Sequence, residues 1–254
     1  VRQSWQEEPE YRPDANGEIR NRDFFGGDLR GVIEELDYLQ SLGVETLYFN
    51  PIFEAAENHR YGTADYSNID PMLGTNEDFE ALCTAAQKYG IGIVLDGVFS
   101  HTGSDSRYFN REGRYGEGGA YRDPNSPYRC WYDFGPQYKG GYRSWWGFET
   151  LPEVNEETPS YVEFITGEGG VIDTWLRRGA AGFRLDVADE LPMPFLRELR
   201  RQVKDVSGDA AAERVGAALH ARLVAVVDAR HTRHAEHKPQ HQLFAQRADH
   251  ALLL

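Results

Sequence analysis

Apolar and polar positions along the chain repeat as one unit: an amphipathic helix, a glycine, and a short apolar strand. In the first unit, a helix is predicted from about Asp28 to Gly43, because apolar residues recur at the spacing of one helical face. The apolar positions of that face are Leu29, Val32, Ile33, Leu36 and Leu39. Residues 44–50 then have the composition of a strand, which ends in Asn50.

Two further units follow the same pattern. Their predicted helices and strands are 75–90 with 91–96, and 160–179 with 182–187. Thr75 and Asp78 have the spacing of a capping box, which favours a helix start there. The glycine-rich run 167–170 predicts a break in the third helix. Helix–glycine–strand repeats with apolar strands are typical of parallel βα units that are buried on both sides of the sheet.

A long irregular segment, residues 102–159, separates the second unit from the third. It is rich in glycine, tyrosine, arginine and proline, and it contains the pair Trp145 and Trp146. Disordered segments are poor in aromatic residues, so this composition predicts a small inserted subdomain.

Polar residues follow the predicted strands. The second strand ends in Asp96 and continues to His101, and the third carries Arg184 and Asp186. In parallel βα folds the reactive groups lie at the carboxyl ends of the strands, so these residues are candidates for a site.

Arg184 and Asp186 are two positions apart on one strand, so both side chains point to the same face. Burying two charges costs several kcal/mol unless they pair. A guanidinium beside a carboxylate lowers the pKa of that carboxylate and keeps it ionised and nucleophilic. The alternative is a structural ion pair, and the pair alone does not decide between the two.

Single residues are weaker indicators. Asp96 could simply cap a turn, and His101 could be a structural histidine. Tyr61, Trp145 and Trp146 could stack on sugar rings, but aromatic residues more often belong to a core.

Charge and composition exclude several classes of partner. The net charge of −14 argues against nucleic acid, which requires a basic surface. No apolar stretch approaches the roughly 20 residues that span a bilayer, so no membrane segment is predicted. No signal pattern opens the chain, which by itself says little about location. A cytoplasmic location is the expectation. The two cysteines are interpreted as free thiols.

Composition changes near Lys204. All aromatic residues except Phe244 precede it, whereas six of the eight histidines follow it. These histidines lack the spacing of a metal site. The tail, residues 205–254, is therefore interpreted as atypical, and its alanine, arginine and histidine content suggests translation in a wrong reading frame.

Several motifs together resemble the α-amylase family, glycoside hydrolase family 13. Asp96-Gly97-Val98-Phe99-Ser100-His101 is similar to the family's first conserved region, and Gly182-Phe183-Arg184-Leu185-Asp186-Val187-Ala188-Asp189-Glu190 is similar to its second. Residues 47–53 resemble the family's second-strand motif, and residues 59–66 resemble its tyrosine-bearing loop. Residues 151–155 resemble the motif near the end of the family's domain B. The residues in these motifs are most similar to those of the neopullulanase, cyclomaltodextrinase and amylopullulanase-like branch.

This resemblance implies an α/β fold, a partial (β/α)8 TIM barrel with a small domain B inserted after the third barrel strand. The implied divisions are 1–101, the first part of the barrel; 102–159, domain B; 160–204, the barrel continued; and 205–254, the tail. A complete barrel needs about 250 residues plus insertions, whereas three strands are recognised here.

The resemblance also implies residue roles. Asp186 would be the nucleophile, and Arg184 would hold it ionised. Asp96 and His101 would shape the site around the sugar, Tyr61 would form its stacking floor, and Trp145 and Trp146 would line the groove. No cofactor is required; the family leaves calcium open, and no metal site is assigned.

Three features depart from the family pattern. Ser100 stands where asparagine is usual, and Gly62 stands where many members have aspartate. The glutamate that would act as acid is not recognised: Glu213 falls in the expected window but has no apolar strand before it, and it is not assigned.

The implied function is retaining hydrolysis of α-1,4 glucosidic bonds, with α-1,6 bonds left open, in maltooligosaccharides, cyclodextrin, starch or pullulan, with an α-glucan as partner. This chain alone is expected to be inactive. The alternatives are a glucanotransferase or isomerase of the same family, and a non-catalytic sugar-binding or interaction module.

Overall fold

The computed structural model describes residues 24, 26–214 and 222–225, with the side chains of residues 24 and 26–206. Its helices are α1 Leu29–Glu34, α2 Leu36–Ser41, α3 Asn76–Lys88, α4 Pro159–Thr166, α5 Val171–Arg177 and α6 Met193–Arg214. Its strands are β1 Thr46–Tyr48, β2 Phe53–Ala55, β3 Thr63–Ile69, β4 Gly92–Gly97, β5 Gly182–Leu185 and β6 Arg222–Ala225. None of the helices in this part of the chain is long and apolar enough to cross a membrane.

Four strands form one parallel sheet in the order β1-β4-β5-β6, and β2 pairs with β3 in a separate antiparallel ribbon. Val94 lies opposite Gly182, and Asp96 lies opposite Arg184, so the charged ends of β4 and β5 are adjacent. Every residue of β4 is buried, as expected for a strand covered on both faces. The predicted parallel βα architecture is therefore confirmed.

The helices follow the sequence pattern in detail. Thr75 caps α3, and both bonds of the predicted capping box with Asp78 are present. The third predicted helix is broken into α4 and α5 at the glycine-rich run, as predicted. The first predicted helix is also divided, because Glu35 has a non-helical conformation between α1 and α2.

Three of the four parallel strands in the described part of the chain were predicted; the fourth, β6, was not, and it pairs with β5 along its whole length. Nor does an element end at Lys204: α6 runs through it to Arg214. The backbone of Glu213 therefore lies within this helix, and its side chain falls outside the described residues.

Two aromatic clusters hold the sheet and the insertion. In the first cluster, the centroid of the Trp175 ring lies 4.9 Å from that of Phe53 and 5.2 Å from that of Phe79. The Nε1 atom of Trp175 donates to the backbone oxygen of Tyr66 at 2.7 Å. In residues 102–159, Phe109 lies 4.6 Å from the ring of Tyr142. The insertion is therefore packed around its own aromatic residues, and isolated bridges such as His101 with Glu153 join its end to the strand β4 loop.

Candidate active site

Arg184 lies at the centre of a buried charged group at the carboxyl ends of β4 and β5. Its Nη1 atom is 2.9 Å from each carboxylate oxygen of Asp96 and 2.8 Å from Oδ1 of Asp186. The side chains of Arg184 and Asp96 are 7% and 0% exposed, whereas the Asp186 side chain keeps 14% of its surface exposed. Asp186 is thus the carboxylate of the two that a substrate can reach.

Besides Arg184, Asp96 is held by the hydroxyl of Tyr48, which donates to its Oδ2 at 2.5 Å. Burial raises the pKa of Asp96 to about 6, and the bonds from Tyr48 and Arg184 oppose that rise. Tyr48 was not predicted as a site residue. It lies in β1 two positions before Asn50 and therefore on the same strand face, which was the available signal.

The backbone directly after Asp186 is strained. Val187 has a φ of 42°, in the left-handed region that β-branched residues rarely adopt. Strained backbone of this kind persists where the surrounding structure imposes it, and it clusters at functional sites. Here it turns the chain out of β5 at the residue following the candidate nucleophile. Nothing in the sequence pattern indicated this strain.

His101 is buried, at 1% exposure, and burial lowers its pKa to about 4. Its Nδ1 lies 2.9 Å from the hydroxyl of Ser100, so the serine supplies a local hydrogen bond where the family usually has asparagine. Its Nε2 is buried and has no hydrogen-bond partner among the described residues. The neutral ring therefore presents one polar atom that a sugar hydroxyl could satisfy.

Tyr61 is part-buried near the charged group. Burial raises the pKa of Tyr61, and the negative charges of Asp96 and Asp186 raise it further. A side chain on Gly62 would begin 2.7 Å and 2.8 Å from the two carboxylate oxygens of Glu57. A carboxylate therefore does lie beside position 62, although it comes from a residue five positions earlier.

Trp145 and Trp146 lie at the rim of the site. Their rings stack with centroids 5.4 Å apart, and Trp145 lies 5.3 Å from the His101 ring. Both indole nitrogens donate to one carboxylate: Trp145 Nε1 to Oε2 of Glu190 at 2.9 Å, and Trp146 Nε1 to Oε1 at 3.0 Å. Glu190 was recognised only as part of the strand-end motif, and this contact was not predicted.

The structure thus brings Asp96, Arg184 and Asp186 together, with Tyr61 in their electrostatic field, and links His101 to the tryptophan pair. Among the side chains that the structure describes, no group of three or more His, Cys, Asp or Glu is arranged to hold a metal ion. What the arrangement offers chemically is a carboxylate paired with a guanidinium, beside aromatic surfaces and a neutral imidazole.

A buried Arg–Asp group at the carboxyl edge of a parallel βα sheet lies where α/β barrel enzymes carry their active sites. The chain matches the catalytic domain of alpha-amylase over residues 9–250. It belongs to the α-amylase family, as the sequence motifs predicted.

Characterised relatives are similar over most of this chain. The amylopullulanase of Thermoanaerobacterium saccharolyticum is 43% identical over 211 residues, which is 76% of this chain and 16% of that protein. Neopullulanase 2 of Thermoactinomyces vulgaris is 38% identical over 198 residues, covering 75% of this chain and 32% of that protein. The chain thus spans a third or less of the length of these relatives.

Solved structures show the same fold. The cyclic α-maltosyl-(1→6)-maltose hydrolase of Arthrobacter globiformis is 36% identical, with a TM-score of 0.65 over 74% of this chain and 41% of that one. The debranching enzyme of Nostoc punctiforme is 36% identical, with a TM-score of 0.65 over 81% of this chain and 40% of that one. The predicted fold, a partial TIM barrel, is therefore confirmed.

Proposed function

We propose that this chain supplies the nucleophile side of the active site of a retaining α-glucan hydrolase that cleaves α-1,4 and also α-1,6 glucosidic bonds. One observation carries the proposal: a single guanidinium nitrogen of Arg184 lies 2.8 Å from Asp186, and Asp186 is the more exposed of its two carboxylate partners. A nearby positive charge favours the ionised form of a carboxylate, which is the nucleophilic form.

In this proposal an Asp186 oxygen forms a bond to the anomeric carbon while the bond from that carbon to the glycosidic oxygen breaks. The leaving oxygen takes a proton from an acid, and water later cleaves the glycosyl ester with net retention. Arg184 orients and ionises the nucleophile. His101 Nε2 and the ring of Tyr61 hold the sugar at the cleaved bond, and the tryptophan pair extends the groove.

The names of the relatives support the substrate class, because they include amylopullulanases, neopullulanase and cyclomaltodextrinase. The proposed partners are accordingly α-glucan oligosaccharides or polysaccharides. A retaining enzyme needs a second carboxyl about 5–5.5 Å from the nucleophile to act as the proton donor. No residue of this chain is assigned to that role.

The test traps the intermediate in an enzyme in which this chain is completed by the remaining barrel strands. A 5-fluoro glycosyl fluoride should leave a covalent sugar on the peptide that contains Asp186, as mapped by mass spectrometry. Asp186→Asn should give no adduct and should lower turnover by at least about 10³-fold, because the covalent step loses its nucleophile. Maltooligosaccharide binding should largely survive.

Two results would contradict the proposal. One is a label on another carboxylate; the other is inversion at the anomeric carbon in the first product seen by NMR. Separate incubation with pullulan, cyclodextrin and maltooligosaccharides tests the linkages, and transfer products in place of reducing sugar would assign a glucanotransferase.

A further inference from the structure

Trp145, Trp146 and Phe148 form a surface of nearly parallel rings, which we term the aromatic platform. The Trp145 ring is stacked on Trp146 at 5.4 Å and on Phe148 at 6.2 Å, with an interplanar angle of 25° in each pair. Trp146 and Phe148 are 55% and 56% exposed. Large exposed apolar patches mark binding surfaces, and flat aromatic rings suit the apolar face of a sugar.

The platform does not hold its shape through packing alone. Trp146 has a φ of 51°, a left-handed conformation that costs on the order of 1 kcal/mol or more in a residue other than glycine. Local strain of this kind persists only where other contacts impose it. Since Trp146 is more than half exposed, its surroundings provide little steric restraint.

The carboxylate of Glu190 provides that restraint. Each of its two oxygens accepts one indole N–H, at 2.9 Å and 3.0 Å, so one rigid group fixes both ring planes. Hydrogen bonds to an ionised acceptor are stronger than neutral ones. Glu190 is four residues after Asp186, on the loop that leaves β5, whereas the tryptophans belong to the insertion. The contact therefore joins the loop of the nucleophile to the inserted segment.

We propose that Glu190 is a positioning residue: it holds Trp145 and Trp146 as one stacked pair, and a glucosyl ring of the α-glucan stacks on the exposed Trp146 ring, beyond the sugar that His101 contacts. This inference rests on the proposed function, and it assigns Glu190 no part in proton transfer. Both of its carboxylate oxygens already accept an indole N–H, which suits an anchor.

The test uses the full 254-residue chain labelled with ¹⁵N in its tryptophans. Glu190→Gln has the same shape but only one acceptor oxygen, so one indole must lose its partner. We expect two indole N–H signals, assigned through Trp145→Phe and Trp146→Phe, to shift, and the far-UV exciton couplet of the stacked indoles to weaken. Maltohexaose affinity, measured by tryptophan fluorescence, should fall by about fivefold or more. Glu168→Gln, an exposed glutamate in the break before α5, is the matched control and should change none of these.

A double-mutant cycle separates positioning from direct sugar contact. Phenylalanine keeps an aromatic face but has no N–H, so Glu190→Gln should have no further effect on affinity in a Trp145→Phe/Trp146→Phe background. An equal loss of affinity in that background would mean that Glu190 touches the sugar itself, and it would overturn the proposal. Unchanged indole signals in Glu190→Gln would overturn it as well.

The remaining outcomes are also decisive. If Glu190→Gln lowers the melting temperature substantially, Glu190→Asp repeats the comparison with both oxygens retained, and its indole signals should stay closer to those of the unmodified chain. Indole signals that respond to Glu190 without any binding of maltohexaose would refute the sugar surface. The trapping experiment for the proposed function labels Asp186 in a completed enzyme, whereas the present test follows the indole signals and sugar affinity of this chain. Failure of the proposed mechanism is therefore distinguished from failure of this inference.

Discussion

Arg184 contacts two carboxylates through one nitrogen, and the pair it forms with Asp96 is almost fully buried. Burying charges of this kind costs several kcal/mol unless geometry and hydrogen bonds compensate, so the arrangement is weak evidence for stability by itself. Compensation comes from Tyr48, which bonds to the same carboxylate. The partial exposure of Asp186 is the feature that a purely structural ion pair would not need.

Replacing Arg184 with lysine is predicted not to restore function, although it retains the charge. The planar guanidinium holds Nη1 in one position between Asp96 and Asp186, whereas the ammonium of lysine is a point charge on a flexible stem. In the completed enzyme, Arg184→Lys should lower kcat by about tenfold or more and move the acidic limb of the pH–rate profile. Arg201→Lys, on the exposed face of α6, is the control. Near-normal kcat with an unchanged acidic limb would show that Arg184 only balances charge.

His101 and Asp96 oppose each other in the pH dependence of stability. Burial lowers the pKa of His101 to about 4, so its unfolded form binds protons first, and its contribution is lost as pH falls below about 6.5. Burial raises the pKa of Asp96 to about 6, so its contribution is lost as pH rises from about 4 to about 6. The two effects partly cancel in the intact chain.

Single substitutions should separate these effects. Between pH 4 and 6.5, the unfolding free energy of the intact chain minus that of His101→Gln should rise with pH, by on the order of 3 kcal/mol in total. The unfolding free energy of the intact chain minus that of Asp96→Asn should instead fall as pH rises over the same range. Both are measured by urea unfolding at a series of pH values. A flat difference for His101→Gln would mean that this histidine titrates normally.

At this scale the sequence predicted the group of Arg184, Asp186 and Asp96, because strand alternation and strand ends specify which side chains share a face. It could not predict the hydrogen bond from Tyr48 or the clamp at Glu190. Both depend on contacts between residues that are 44 to 48 positions apart in the sequence. The strain at Val187 has no sequence signal either, since it is imposed by the surrounding fold.

Among the elements, local signals decided most of the boundaries. The capping box at Thr75 and the glycine-rich break between α4 and α5 act within one or two helical turns, so the sequence alone contains the necessary information. Strand β6 was missed because the glycine before it, Gly216, stands six positions before Arg222, whereas in the other units the glycine stands two or three positions before the strand. Its assignment depends on pairing with β5, which is a tertiary contact.

The capping box makes a measurable contribution to stability. Thr75→Ala removes the acceptor for the Asp78 amide, so the unfolding free energy should fall by about 1 kcal/mol. Thr84→Ala is a matched control, because Thr84 is exposed in the interior of the same helix. That control should be neutral or slightly stabilising, since alanine has the higher helix propensity. Equal changes in the unfolding free energy for the two substitutions, measured by urea unfolding, would mean that the cap does not stabilise α3.

For the whole molecule, the identity of the acid is the deciding question. Burial raises the pKa of Glu156 to about 7, which suits a proton donor, but the charges that act on it are those of Glu153, Arg143 and Glu157. Glu190 is held by two indole N–H groups, and Glu153 by Arg143. None of these carboxyls is placed by its contacts as a partner for Asp186. The relatives are three or more times as long as the segment they share with this chain.

The 254-residue chain expressed by itself is therefore predicted not to release reducing sugar from starch, pullulan or cyclodextrin. Without a positioned acid, the leaving oxygen departs as an alkoxide, and protonation by an acid typically contributes about 10²–10⁴-fold to the rate. Weak sugar binding through Tyr61, His101 and the aromatic platform should remain. The measurement compares reducing-sugar release by this chain with release by the completed enzyme at equal concentration. Comparable turnover would place the acid within these 254 residues, and Glu213→Gln and Glu156→Gln would then show which residue supplies the proton.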